Sequence, residues 1–122
     1  MDYKALQQQI VRDTKVNVYN KKLLKAVADY ISPTDTILSA FVCNNQENNT
    51  CLLVATDNKL FLCEDAFFKK PQVDIYSFDT IQNVRYNQAF LNKSLIIYTQ
   101  NSQITLSKIS NTKQIKQLIA YI

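Results

Sequence analysis

The side chains able to do covalent or acid–base chemistry are few and poorly spaced for it. Cys43, Cys51 and Cys63 lie eight and twelve residues apart, with no CxxC pair and no fourth soft ligand, which argues against a zinc site. The chain has no histidine. That removes the usual general base, the Ser-His and Cys-His nucleophile pairs and the His-containing metal sites in one step. Glu64 and Asp65 are adjacent, and in extended backbone adjacent side chains point to opposite faces, so they form no cooperating pair. Glycine is absent, which excludes a glycine-rich phosphate loop. An active site would have to be assembled from Asp, Lys and Tyr alone, and neither catalysis, nor a metal, nor a cofactor is expected.

Binding chemistry is better represented. Fourteen Lys and Arg against ten Asp and Glu give a formal charge of +4 and a pI near 9.0, a balance that permits contact with anionic surfaces without requiring it. The candidate ligand or membrane contacts are Lys59, Lys69 and Lys70, with Phe67 and Phe68 as interfacial anchors. Lys21, Lys22 and Lys25 form a basic helix face, for which solvation is the favoured reading. Tyr76, Tyr86 and Tyr98 could stack bases if they shared an exposed face. No RNP-like or helix-turn-helix pattern accompanies them, so nucleic acid is not the expected partner.

The elements that must position these groups follow from period and punctuation. Residues 3 to 12 are good helix formers with a thin stripe of Leu6 and Ile10. Asn20 caps a second helix, KKLLKAVADYI, whose Leu23, Leu24, Val27, Ala28 and Ile31 share a face, and Ser32-Pro33 stops it. From Thr36 the pattern becomes that of strands: 36–43, 50–55, 60–63, 73–78, 81–86, 94–99 and 103–107. A last helix, capped by Ser110 or Asn111, carries Ile115, Leu118, Ile119 and Ile122. Asn, abundant in the polar breaks, is expected to supply the left-handed backbone that glycine supplies elsewhere, including at the Asp57-Asn58 hairpin turn.

In that hairpin, LLVATDNKLFLC from Leu52 to Cys63, both arms are apolar at consecutive positions. A one-sided antiparallel sheet should alternate, so both faces need a cover. Residues 20–31 are expected to supply the outer one. A symmetric hairpin around Asn44–Asn49 also sets Cys43 opposite Cys51. A cross-strand disulfide is conceivable there, but small buried apolar residues are the favoured reading.

Seven short strands closed by a carboxy-terminal amphipathic helix resemble the pleckstrin-homology-like (PH-like) barrel. Pro33-Thr34-Asp35-Thr36-Ile37-Leu38 before the first strand, and Ala55, Thr56, Asp57 and Lys59 at the central turn, resemble bacterial PH-like domains of the YokE type. The expected fold is therefore α+β: a seven-stranded antiparallel barrel or sandwich capped by a carboxy-terminal helix over residues 32–122, preceded by a segment of one or two helices over 1–31. The resemblance implies a binding scaffold, since PH-like domains elsewhere take phosphoinositide head groups, peptides or other proteins. In the lipid-binding members, basic residues of the loop between the first two strands hold the phosphates. Here that loop is Asn44, Asn45, Gln46, Glu47, Asn48 and Asn49, so specific phosphoinositide recognition is not expected. Protein contact or self-association is the leading expectation, with anionic membrane the alternative. No small-molecule substrate suggests itself. No segment approaches the ~20 apolar residues of a membrane span, the start MDYKALQQQ lacks a signal-peptide core, and three cysteines fit a reducing compartment, so a cytoplasmic location is expected.

Overall fold

A computed structural model describes residues 1–66, 69–88 and 93–122. Two helices, α1 (Tyr3–Thr14) and α2 (Lys21–Ala28), precede seven strands: β1 (Ile37–Asn44), β2 (Thr50–Thr56), β3 (Lys59–Glu64), β4 (Gln72–Ser77), β5 (Ile81–Gln88), β6 (Lys93–Thr99) and β7 (Gln103–Ser107). Helix α3 (Thr112–Tyr121) follows. The strands form one antiparallel sheet in the order β4-β3-β2-β1-β7-β6-β5.

Short polar side chains define the helix starts. Asp2, Asn20 and Asn111 accept from the backbone N–H of Ala5, Leu23 and Lys113 at 2.8, 3.1 and 3.1 Å, each satisfying a donor that the helix itself leaves free. Helix α2 ends at Ala28, short of the expected Ser32-Pro33 stop. The N–H of Tyr30 turns back to the Val27 carbonyl, and the Asp35 carboxylate accepts from the Ser32 N–H at 2.9 Å, so local turns end the helix first. Ile31 is nevertheless buried.

Turn chemistry also departs from expectation. Among the described residues, positive φ occurs at Lys15, Asn48 and Lys108, and at neither Asp57 nor Asn58. The Thr56–Lys59 turn is instead stitched by the Thr56 hydroxyl, which accepts from the Lys59 N–H at 3.3 Å. Lys15 ends α1 as a left-handed cap, its N–H donating to the Val11 carbonyl.

Two hydrophobic cores lie on either side of β1–β3. On one side, Leu6 and Ile10 of α1 and Leu23, Leu24, Val27 and Ala28 of α2 pack on Ala40, Leu52, Val54, Phe61 and Cys63. On the other, Phe41, Leu53, Leu60 and Leu62 meet Leu95, Ile97 and Leu106 of β6 and β7 and Ile115 and Leu118 of α3. The consecutive apolar residues of the hairpin thus alternate between two cores, and the chain's own helices cover the outer face.

The joint between β1 and β7 is a single residue pair, Asn44 with Ser107. Beyond it the edge of β1 is completed by the α3 segment. Ser110 exchanges bonds with Val42, N–H to carbonyl at 3.0 Å and hydroxyl from N–H at 3.2 Å. The buried Gln114 Oε1 accepts from the Ala40 N–H at 3.0 Å, and the Ser39 hydroxyl donates to the Gln114 carbonyl at 2.7 Å. Gln114 thereby takes an inward position on α3, while Ile122, expected in the buried stripe, is exposed.

Candidate interaction surfaces

The thiols are withdrawn from chemistry. Cys43 stands directly opposite Cys51 in the β1–β2 register, and both, like Cys63, are free and fully buried. Burial pushes the Cys51 thiol up to about 12, with Glu64 adding to it, and Cys63 up to about 11; Cys43 is raised as well. A thiol so held stays protonated near neutral pH, which suppresses both nucleophilic attack and metal ligation. Among the described residues no group of three or more Cys, Asp or Glu could hold a metal ion.

Of the residues expected from sequence to meet a ligand, the three described lysines do not form one cluster. Lys59 opens β3, whereas Lys69 and Lys70 follow its far end. A six-residue strand places those two ends about 17 Å apart. Phe67 and Phe68 lie outside the described residues. Lys69 and Lys70 are exposed, and Lys70 faces a different set of lysines from the one expected.

That set belongs to α2. Lys22, Lys25, Ala26 and Asp29 of the helix and its end, together with Tyr30, form one wall of a groove of about 480 Å³; Lys70, Pro71 and Val73 form the other. Lys22 Nζ pairs with Asp65 Oδ1 at 2.7 Å. Lys21 and Lys25 hold their ammonium groups 5.4 and 5.6 Å from the Tyr3 ring centroid, within reach of a cation–π attraction. The sequence pattern alone puts Lys21, Lys22 and Lys25 on a solvated helix face. Only the tertiary packing of α2 beside the β3–β4 connection turns that face into a wall.

The loop between β1 and β2 is tied to itself. Asn49 N–H donates to Asn45 Oδ1 at 2.9 Å, Asn48 adopts φ 65°, and Asn49 Nδ2 donates to Glu64 Oε1 at 2.7 Å. It presents amides rather than cations. Tyr76, Tyr86 and Tyr98 are all half-buried, and Tyr76 and Tyr86 pack against the second core, so they make no open stacking platform. Burial, reinforced by Asp74, raises the Tyr76 phenol.

The sheet offers two further surfaces at its ends. Strands β4 and β5 each have one ladder partner among the described residues, β3 and β6 respectively, leaving an outer edge unpaired. Strand β5 is eight residues long, and Gln82, Asn83, Arg85, Asn87 and Gln88 on it are exposed. Among the described residues no helix is long and apolar enough to cross a membrane.

Comparison with known proteins agrees with this architecture. The chain is similar to a crystal structure of the C-terminal domain of an unknown protein from Leishmania infantum, with a TM-score of 0.57 and 18% identity. The match covers 77% of this chain and 87% of that one, and at this identity it shows the fold alone. No curated protein matches. The family model described as "Bacterial PH domain" matches residues 31–122, from just before the first strand through the carboxy-terminal helix. The expected seven-stranded, helix-closed α+β fold is therefore the fold observed, and the chain belongs to the bacterial PH domain family.

Proposed function

We propose that the protein is a non-enzymatic binding or assembly module of the PH type that makes protein–protein contacts in the cytoplasm, with residues 1–31 as an integral layer on a PH-like domain of residues 32–122. The observation that carries this reading is the open edge of β5. An eight-residue strand with one side unpaired among the described residues presents a row of backbone donors and acceptors to which a partner's extended segment can add. The buried, protonated thiols and the scatter of acidic groups favour binding over catalysis.

The alternative, peripheral attachment to anionic membrane through Lys59, Lys69 and Lys70, draws on fewer observations. Lys59 stands at the far end of β3 from Lys69 and Lys70, so the three make no concentrated basic patch, and a few dispersed lysines give weak attraction.

The test is a solution mass measurement followed by pulldown from the source cell with the intact chain and an Asn83→Lys/Asn87→Lys variant. A self-associated species or a defined protein partner, lost when charge blocks the edge, supports the proposal. Enrichment on anionic vesicles without a protein partner supports the alternative, and equal capture by the variant removes β5 from the interface.

A further inference from the structure

We propose that the groove between α2 and the start of β4 is a docking site for an acidic, extended peptide segment of a partner protein, independent of the β5 edge. Its floor and rim differ in chemistry. Ala26, Pro71 and Val73 are half-buried and apolar, whereas Lys22, Lys25 and Lys70 are exposed around them. Asp29 is the one carboxylate lining the groove. Tyr30, 53% exposed, adds an aromatic face at one end. This is the arrangement that receives a chain with a buried aliphatic or aromatic side chain and flanking carboxylates: the floor takes the anchor and the ammonium groups take the charges.

The molecule already displays half of that contact. Asp65, in the segment after β3, lays its carboxylate on Lys22 at 2.7 Å, although the pair is solvent-exposed and so adds little to stability. Lys25 and Lys70 make no ion pair in the described residues, leaving two cations for carboxylates supplied from outside. Lys25 is also held near the Tyr3 ring, which limits its freedom before a ligand arrives.

The shape selects the class of partner. Half-buried apolar residues set between a helix and a strand, with cations beside them, match the alternating side chains of a single extended chain better than a broad bilayer surface. A volume of about 480 Å³ lies within the roughly 300–1,000 Å³ common for ligand sites and is too small for a docked domain. A lone phosphate would leave the apolar residues Ala26, Pro71 and Val73 without a partner.

The experiment uses the full chain and a fluorescent octapeptide of glutamates interrupted by a central Leu-Phe pair, followed by anisotropy and by amide chemical shifts. Weak, saturable binding that moves the resonances of residues 22–30 and 70–73 is expected. Replacing the glutamates by glutamines should weaken binding by about tenfold, and Lys25→Glu/Lys70→Glu by at least about fivefold, with both effects shrinking in high salt. Because both lysines are exposed, the variant should keep the wild-type unfolding midpoint. Equal affinity for the glutamine peptide, shifts confined to other surfaces, unchanged binding by the folded double variant, or binding to phosphatidylserine vesicles in place of the peptide would each overturn the proposal.

Discussion

Strands β1–β3 and strands β5–β7 belong to one sheet but bury their side chains by different rules. In β2, every residue from Cys51 to Thr56 is buried, and in β3 every residue from Leu60 to Cys63. In β6, by contrast, Leu95 and Ile97 are buried while Ser94, Ile96 and Tyr98 are only partly so, and β5 is mostly exposed beyond Ile81. The cause is the helical layer: α1 and α2 pack over β1–β4 and leave the β5–β7 half with one dry face. The amino-terminal helices thus complete a sheet whose sequence is written for two-sided burial, though both lie outside the stretch matched by the family model.

The strongest way to break the comparison is to remove the helices. Deleting residues 1–31 would bare Ala40, Leu52, Val54, Phe61 and Cys63 together. A contiguous apolar face of that kind is an aggregation site. The truncated chain is expected to aggregate or lose cooperative thermal unfolding, read by circular dichroism and size exclusion. A monomeric fragment with the wild-type melting temperature would show that the two halves of the sheet do not differ in what they need.

A finer contrast compares neighbours. Leu52 faces the helical core and Leu53 the barrel core, and both are fully buried. Leu52→Ala and Leu53→Ala should therefore each cost about 2–5 kcal/mol in urea unfolding. In β6 the corresponding neighbours should separate: Leu95→Ala in the same range and Ile96→Ala, at a partly exposed position, nearer ~1 kcal/mol. If Leu52→Ala proved as mild as Ile96→Ala, the helical layer would be loosely packed rather than a second core.

The sequence announces this contrast through the consecutive apolar residues of LLVA and LFLC, and it announces the elements through period and through Asn20 as an N-cap. What it hides is of two kinds. Gln9 and Gln114 read as polar helix positions, yet both are buried. Gln9 Nε2 donates to the Ser32 and Asp35 carbonyls at 3.1 and 2.7 Å, and Gln114 caps the edge of β1. Their role depends on backbone groups 23 to 74 residues away, which no local pattern encodes. The second kind is assembly of a surface. Lys22 and Lys25 are 45 or more residues from Lys70, so the groove exists only once α2 lies against the start of β4. Lys59, grouped with Lys69 and Lys70 by charge, is separated from them by the length of a strand.

Gln114 offers a smaller test on the barrel side. Gln114→Ala would leave the buried Ala40 N–H without its acceptor, at a cost of about 1–3 kcal/mol. Hydrogen exchange should show faster exchange of Ala40, while the amides of Leu6 and Ile10 on the helical side keep their protection. Equal loosening on both sides would mean that the two cores unfold as one and that the contrast is confined to burial.

The smallest expected effect separates the cores by their thiols. Cys63 lies in the helical core, and Cys43 and Cys51 in the barrel core. Desolvation, with Asp65 and Asp74 adding repulsion, raises the Cys63 thiol to about 11. The unfolded thiol titrates near ~8.5. The folded state thus binds the proton more tightly, so the stabilisation is intact below ~8.5 and is progressively lost as pH rises toward the folded value, where the unfolded chain has already released its proton. Between pH 7 and pH 9 one such thiol accounts for a loss of ~1 kcal/mol or less. Replacing Cys63 by Ala should flatten the alkaline decline in unfolding free energy by that amount, whatever constant offset the smaller side chain introduces. A decline as steep as that of the wild type would mean that the thiol is ionised or solvated in the folded chain, and that the helical layer does not exclude water from β3.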